Sequence, residues 1–67
     1  MKCKLTSGET LIVSEYTTEN EIGKLERVPI ITVDGRLCEP QYALNRLSPL
    51  RKQSFEKLLT EIENHNK

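Results

Sequence analysis

Aromatic, imidazole and glycine chemistry is thin in this chain, which has no tryptophan, one phenylalanine, one histidine and three glycines among 67 residues. The sole imidazole, His65, lies in a polar tail, so no base is placed to activate a serine or cysteine nucleophile. Gly8, Gly23 and Gly35 are scattered rather than gathered into a phosphate-cradling loop. Cys3 and Cys38 form no Cys-x-x-Cys pair and cannot complete a zinc site with one histidine. Glu19 and Glu21 fall short of the oxygen donors a calcium loop needs. Net charge is also missing, since ten basic side chains balance ten acidic ones, and a general affinity for polyanions is not implied. The sequence opens on a charged, alternating segment without the apolar run of a signal peptide or membrane span. The expectation is a reduced cytoplasmic protein with no metal and no cofactor. Both cysteines are expected to be buried thiols at strand positions; a disulfide between them is the alternative that a mass under non-reducing conditions distinguishes.

A chain this short makes one domain and buries only about 60% of the surface its unfolded form exposes. Cores of that size supply roughly 3–5 kcal/mol and leave little volume for a pocket of about 300 Å³. A non-enzymatic protein that leans on a partner or a second copy is the expectation.

What is present is a well-marked helix over 48–62. Phe55, Leu58, Leu59 and Ile62 recur at i, i+3, i+4 and i+7 and form one apolar stripe. Ser48 is placed to cap the free backbone N–H groups with its side chain, and Pro49 suits the first helical position. His65, Asn66 and Lys67 are expected to fray. Just upstream, residues 39–47 fit either a helical turn opened by Pro40 or a short strand; helix-forming Gln, Ala, Leu and Arg favour the turn.

The remainder reads as β-structure. Met1 to Leu5 alternates with period 2, Ser7-Gly8 is a turn, and Thr10 to Tyr16 is the return strand. A two-residue turn would set Cys3 against Ile12 and Leu5 against Thr10, with Lys2, Lys4, Leu11 and Val13 on the opposite face. Residues 17–23 read as a polar loop. Val28 to Val33 is apolar on both faces and belongs near the middle of the sheet, while Pro29 cannot donate to a ladder and marks a strand start or an edge. Asp34-Gly35 with Arg36-Leu37-Cys38 beyond signals a type I′ hairpin. The fold class is thus α+β in two layers: a small antiparallel sheet of two hairpins packed by one carboxyl-terminal amphipathic helix.

One feature breaks a local rule. Arg51 and Lys52 occupy the first turn of the helix and Glu61 and Glu63 its end, the reverse of what the macrodipole favours. With Arg46 just before the cap, these cations form the candidate binding site, suited to an anion or a protein carboxylate: Arg46, Arg51 and Lys52. The ordinary reading pairs Lys52 with Glu56 and Lys57 with Glu61 on a solvated face. Function is expected to be that of a small regulatory binding module, joining a protein partner or a second copy as a homodimer. The alternative is a weak nucleic-acid-binding regulator using the basic helix start, although Glu56, Glu61 and Glu63 on the exposed face would repel phosphate.

Overall fold

A computed structural model describes Met1–Lys67. Four strands form one antiparallel sheet in the order of the chain: β1 (Lys2–Lys4), β2 (Thr10–Glu19), β3 (Leu25–Val33) and β4 (Arg36–Leu37). Helices α1 (Pro40–Leu44) and α2 (Pro49–His65) follow, so 40–47 opens as the helical turn that Pro40 favours. The α+β architecture is the expected one. Both expected hairpins, β1–β2 and β3–β4, are present, and because β2 and β3 pair along nearly their whole length they join into one continuous meander.

Loop length sets the register. The Gly8 N–H donates to the Leu5 carbonyl and the Leu5 N–H to the Glu9 carbonyl, closing a three-residue loop with Gly8 at φ +91°. Only glycine enters that left-handed region without strain. The three-residue loop moves the ladder by one position relative to a two-residue turn, giving Cys3 opposite Leu11 and Lys2 opposite Ile12. Because side chains alternate, that single step puts Cys3, Leu5, Leu11 and Val13 on one buried face.

The β2–β3 connection repeats the device. Gly23, at φ +81°, donates to the Asn20 carbonyl, and the Asn20 N–H donates to the Lys24 carbonyl. Asn20 Oδ1 also accepts from the N–H groups of Ile22 and Lys24. The loop is therefore confined to 20–24. Thr17, Thr18 and Glu19, expected in a loop, are strand residues opposite Arg27, Glu26 and Leu25, because β-branched residues on a paired ribbon override their polar composition. At the third connection, Asp34 (φ 50°) and Gly35 (φ 82°) make the type I′ turn that Asp-Gly signals.

Pro49 and the extended Ser48 open α2 as expected, with the Lys52 N–H donating to the Ser48 carbonyl at 2.8 Å. The Ser48 side chain makes no capping bond, which corrects that part of the reading. The stripe does face inward: Phe55 is 0% exposed, Ile62 is buried, and Leu58 and Leu59 pack half-buried against the core. Phe55 joins Leu11, Val13, Ile31 and Val33 from the two long strands with Ala43 and Leu47 from α1 and the connector. Cys3 is buried in that core and Cys38 packs at its margin, both as free thiols.

The carboxyl-terminal residues, expected to fray, are placed against the sheet as far as Asn66. The helix runs to His65, and Asn66 lies against β3: its Oδ1 accepts from the Arg27 N–H and its Nδ2 donates to the Arg27 carbonyl, each at 2.8 Å. A side-chain amide thus occupies a place on the sheet edge that a neighbouring strand would fill.

Candidate functional site

One helix layer can cover only one face of a sheet. Val28 and Ile30 face away from α2, on the same side as Ile12, Tyr16 and Leu37, as the pairings Tyr16 with Val28, Ser14 with Ile30, Ile12 with Thr32 and Thr32 with Leu37 require. Ile12 is 40% exposed, Tyr16 50% and Leu37 80%. The two-faced apolar character of β3 is real, but its second face meets no layer of this chain. A shallow groove of about 480 Å³ adjoins it, where β4 stops short along β3; Tyr16, Val28, Pro29, Ile30 and Leu37 are among its lining residues.

The sheet edges differ. Pro29 lies on the stretch of β3 that β4 does not reach, in keeping with an edge position. That edge is largely closed, since Asn66 occupies Arg27, Pro29 has no N–H, and the Ile31 carbonyl accepts from Cys38.

Of the three predicted site residues, Arg46 is engaged within the protein. Its guanidinium carbon lies 3.7 Å from the centroid of the Tyr42 ring, and Nη1 donates to the Tyr42 carbonyl at 3.0 Å. The Tyr42 hydroxyl in turn donates to Glu9 at 2.9 Å, and the Ser7 hydroxyl donates to the same carboxylate at 2.8 Å. Arg51 and Lys52 are exposed and hold no ion pair. The expected pairs of Lys52 with Glu56 and Lys57 with Glu61 are not formed; the single ion pair joins Arg27 to Glu15 at 2.8 Å. Exposed lysines gain too little from such pairs to be held in one geometry.

Glu9 and Tyr42 border a recess of about 280 Å³ with Arg36 and Cys38, a cluster without a local sequence signature because Glu9 lies 33 residues before Tyr42. The hydrogen bond to Glu9, then burial and the carboxylate's charge, raise the Tyr42 hydroxyl above the ordinary tyrosine pKa, against a smaller opposing effect of Arg46. Burial, and secondarily Glu9, raise the Cys38 thiol, which keeps it protonated at neutral pH and a weak nucleophile. A raised folded-state pKa means the Tyr42–Glu9 bond is fully present below the unfolded tyrosine value and is lost as pH climbs through the folded one. Changing Glu9→Gln is expected to lower the Tyr42 midpoint, read from its ring carbon shifts in an NMR titration; an unmoved midpoint would refute the bond. No group of three or more His, Cys, Asp or Glu side chains converges to hold a metal, and no helix is long and apolar enough to cross a membrane.

Charge is segregated along the molecule, which measures 41 × 22 × 16 Å. Residues 1–14 and 34–52 carry six bases and three acids, a balance of +3. Residues 15–33 and 53–67 carry four bases and seven acids, a balance of −3. Thr6 bonded to Arg46 ties the start of α2 to the first group, and Asn66 bonded to Arg27 ties its end to the second. The reversed charge order of α2 is therefore one part of a polarity spanning the fold, with the macrodipole adding to it. No family model, curated protein or solved structure gives a significant match to this chain.

Proposed function

We propose that the chain is a small non-enzymatic binding and regulatory module, which acts by applying the open face of its sheet to a protein partner or to a second copy. The observation that carries this reading is the apolar patch of exposed Ile12, Tyr16 and Leu37 with half-buried Val28 and Ile30 among them, on the face that no helix covers. Exposed apolar clusters rimmed by charge mark interaction surfaces, and Lys2, Lys4 and Glu26 stand on this face at its margins. The remaining surface offers recesses rather than an enclosed pocket.

The double change Ile12→Lys and Ile30→Lys tests it. Both positions lie outside the core, so far-UV circular dichroism should be retained while association weakens by at least about tenfold, equivalent to roughly 1.4 kcal/mol. Sedimentation at two concentrations reads self-association, and capture by the wild-type chain against the variant reads a partner. Equal behaviour of the two chains would remove the open face from the proposal.

A second reading is favoured by the basic end alone: weak binding of nucleic acid through Arg51 and Lys52, with Arg46 beside them. Three phosphate contacts would give a slope of about −2.7 in log affinity against log salt on duplex DNA. Binding through the open face predicts a mild dependence, and replacing the three cations with Gln separates the two readings.

A further inference from the structure

Backbone groups of successive strand residues point to opposite sides of a strand. In β2, Thr10 directs its N–H and C=O to Asp34 beyond β3, whereas Val13 directs its own to Met1. By this alternation Glu15, Thr17 and Glu19 face the β1 side, past the last residue that pairs there, and their N–H and C=O groups meet no backbone partner across that edge. The opposite edge is blocked by Asn66 and Pro29; this one is open over five residues, about 17 Å. Beside it lies a recess of about 250 Å³ whose lining includes Met1, Val13, Leu58 and Ile62. It belongs to the acidic end of the molecule, where Glu15, Glu19, Glu21 and Glu26 outnumber Lys24 and Arg27.

A second copy is a poor occupant. Two such edges joined antiparallel about Thr17 would set Glu15 against Glu19 twice, and like charges directly opposite one another repel. We propose that the edge at Glu15–Glu19 takes an extended segment of a partner protein as an added antiparallel strand. That segment carries Lys or Arg opposite Glu19 and Thr17 and an apolar side chain opposite Glu15, over the recess. Main-chain bonds supply affinity in this mode of recognition, and alternate side chains supply selectivity. The proposal rests on the binding-module reading but uses another surface, so its test reads edge amides and is insensitive to the Ile12 and Ile30 changes.

The probe is the blocked pentapeptide lysine-valine-lysine-valine-leucine, added to the full ¹⁵N-labelled chain. At saturation, hydrogen exchange at the Glu15, Thr17 and Glu19 amides should slow by about tenfold, while the amides of Ser14, Tyr16 and Thr18, whose ladder bonds face β3, stay as they were. The Glu15→Gln/Glu19→Gln pair should weaken binding by about fivefold. Alternate N-methylation of the peptide should abolish it. Unchanged exchange at millimolar peptide overturns the proposal, as does equal binding of the N-methylated peptide. So does protection of the three amides in the free chain accompanied by a dimer in sedimentation, which would make the occupant a second copy.

Discussion

Phe55→Ala is expected to leave the chain largely unfolded at 25 °C, with no cooperative thermal transition by far-UV circular dichroism. Phe55 is the chain's only phenylalanine and, with Leu11, one of its two largest fully buried side chains. Deleting a buried phenylalanine ring costs about 3–5 kcal/mol through lost transfer energy and the cavity left behind. Only ten of the 67 residues are buried, and a core of this size supplies roughly 3–5 kcal/mol in total. The loss therefore matches the whole margin. Phe55→Leu keeps most of the volume and should retain a cooperative melt at lower temperature. If the alanine variant melts within a few degrees of the wild type, α2 does not pack on the sheet as described.

The same ring explains how much of the fold could be read beforehand. Phe55 and Ile62 are seven residues apart on one helix, so their shared stripe is a local property and needs no knowledge of the partner surface. Asp34-Gly35 is legible for a similar reason, because its positive φ values are demanded by the turn itself. The first hairpin is different. Ser7-Gly8 is compatible with a two-residue or a three-residue loop, and the choice between them reverses which residues face the core. A signal was present: only the three-residue loop places Cys3, Leu5, Leu11 and Val13 on one face. Thr17 to Glu19 look like a loop until Leu25 to Arg27 are recognised as their partners, and that pairing depends on the Asn20 turn between them.

The candidate site was less legible than the fold. Arg46, Arg51 and Lys52 stand near the start of α2, as their sequence positions imply, yet Arg46 is turned onto Tyr42. The i, i+4 spacing of Tyr42 and Arg46 is a local signal for that stacking once 39–47 is helical, whereas the bond that fixes Tyr42 to Glu9 comes from the far side of the chain and has no local sign. The reversed helix charges were visible in the sequence, whereas their alignment with an acidic β2–β3 hairpin follows only from the meander and the direction of α2. A neutral chain can thus carry a strong dipole, which orients an approaching charged partner before contact and fades with added salt.

Asn66→Ala is expected to lower the melting temperature by about 8–16 °C, the shift that roughly 2 kcal/mol produces in a domain of this size. Two hydrogen bonds join its amide to the Arg27 backbone, and both are partly buried, so removing the side chain strands one donor and one acceptor on the edge of β3. The loss has a second consequence. Asn66 closes the stretch of edge before Pro29, and without it the backbone of Arg27 becomes available for pairing with another chain, a route to aggregation. Asn66→Asp separates the two bonds: a carboxylate still accepts from the Arg27 N–H but cannot donate to the Arg27 carbonyl, and it adds an anion at the helix end where anions are disfavoured. Its melting temperature should fall between those of the wild type and the alanine variant, or near the latter, with the Arg27 amide still slow to exchange. In Asn66→Ala that amide should exchange rapidly. An alanine variant that keeps both its melting temperature and slow exchange at Arg27 would show that the tail is not what closes this edge at Arg27, leaving Pro29 and the Cys38 bond to Ile31 as its remaining closures.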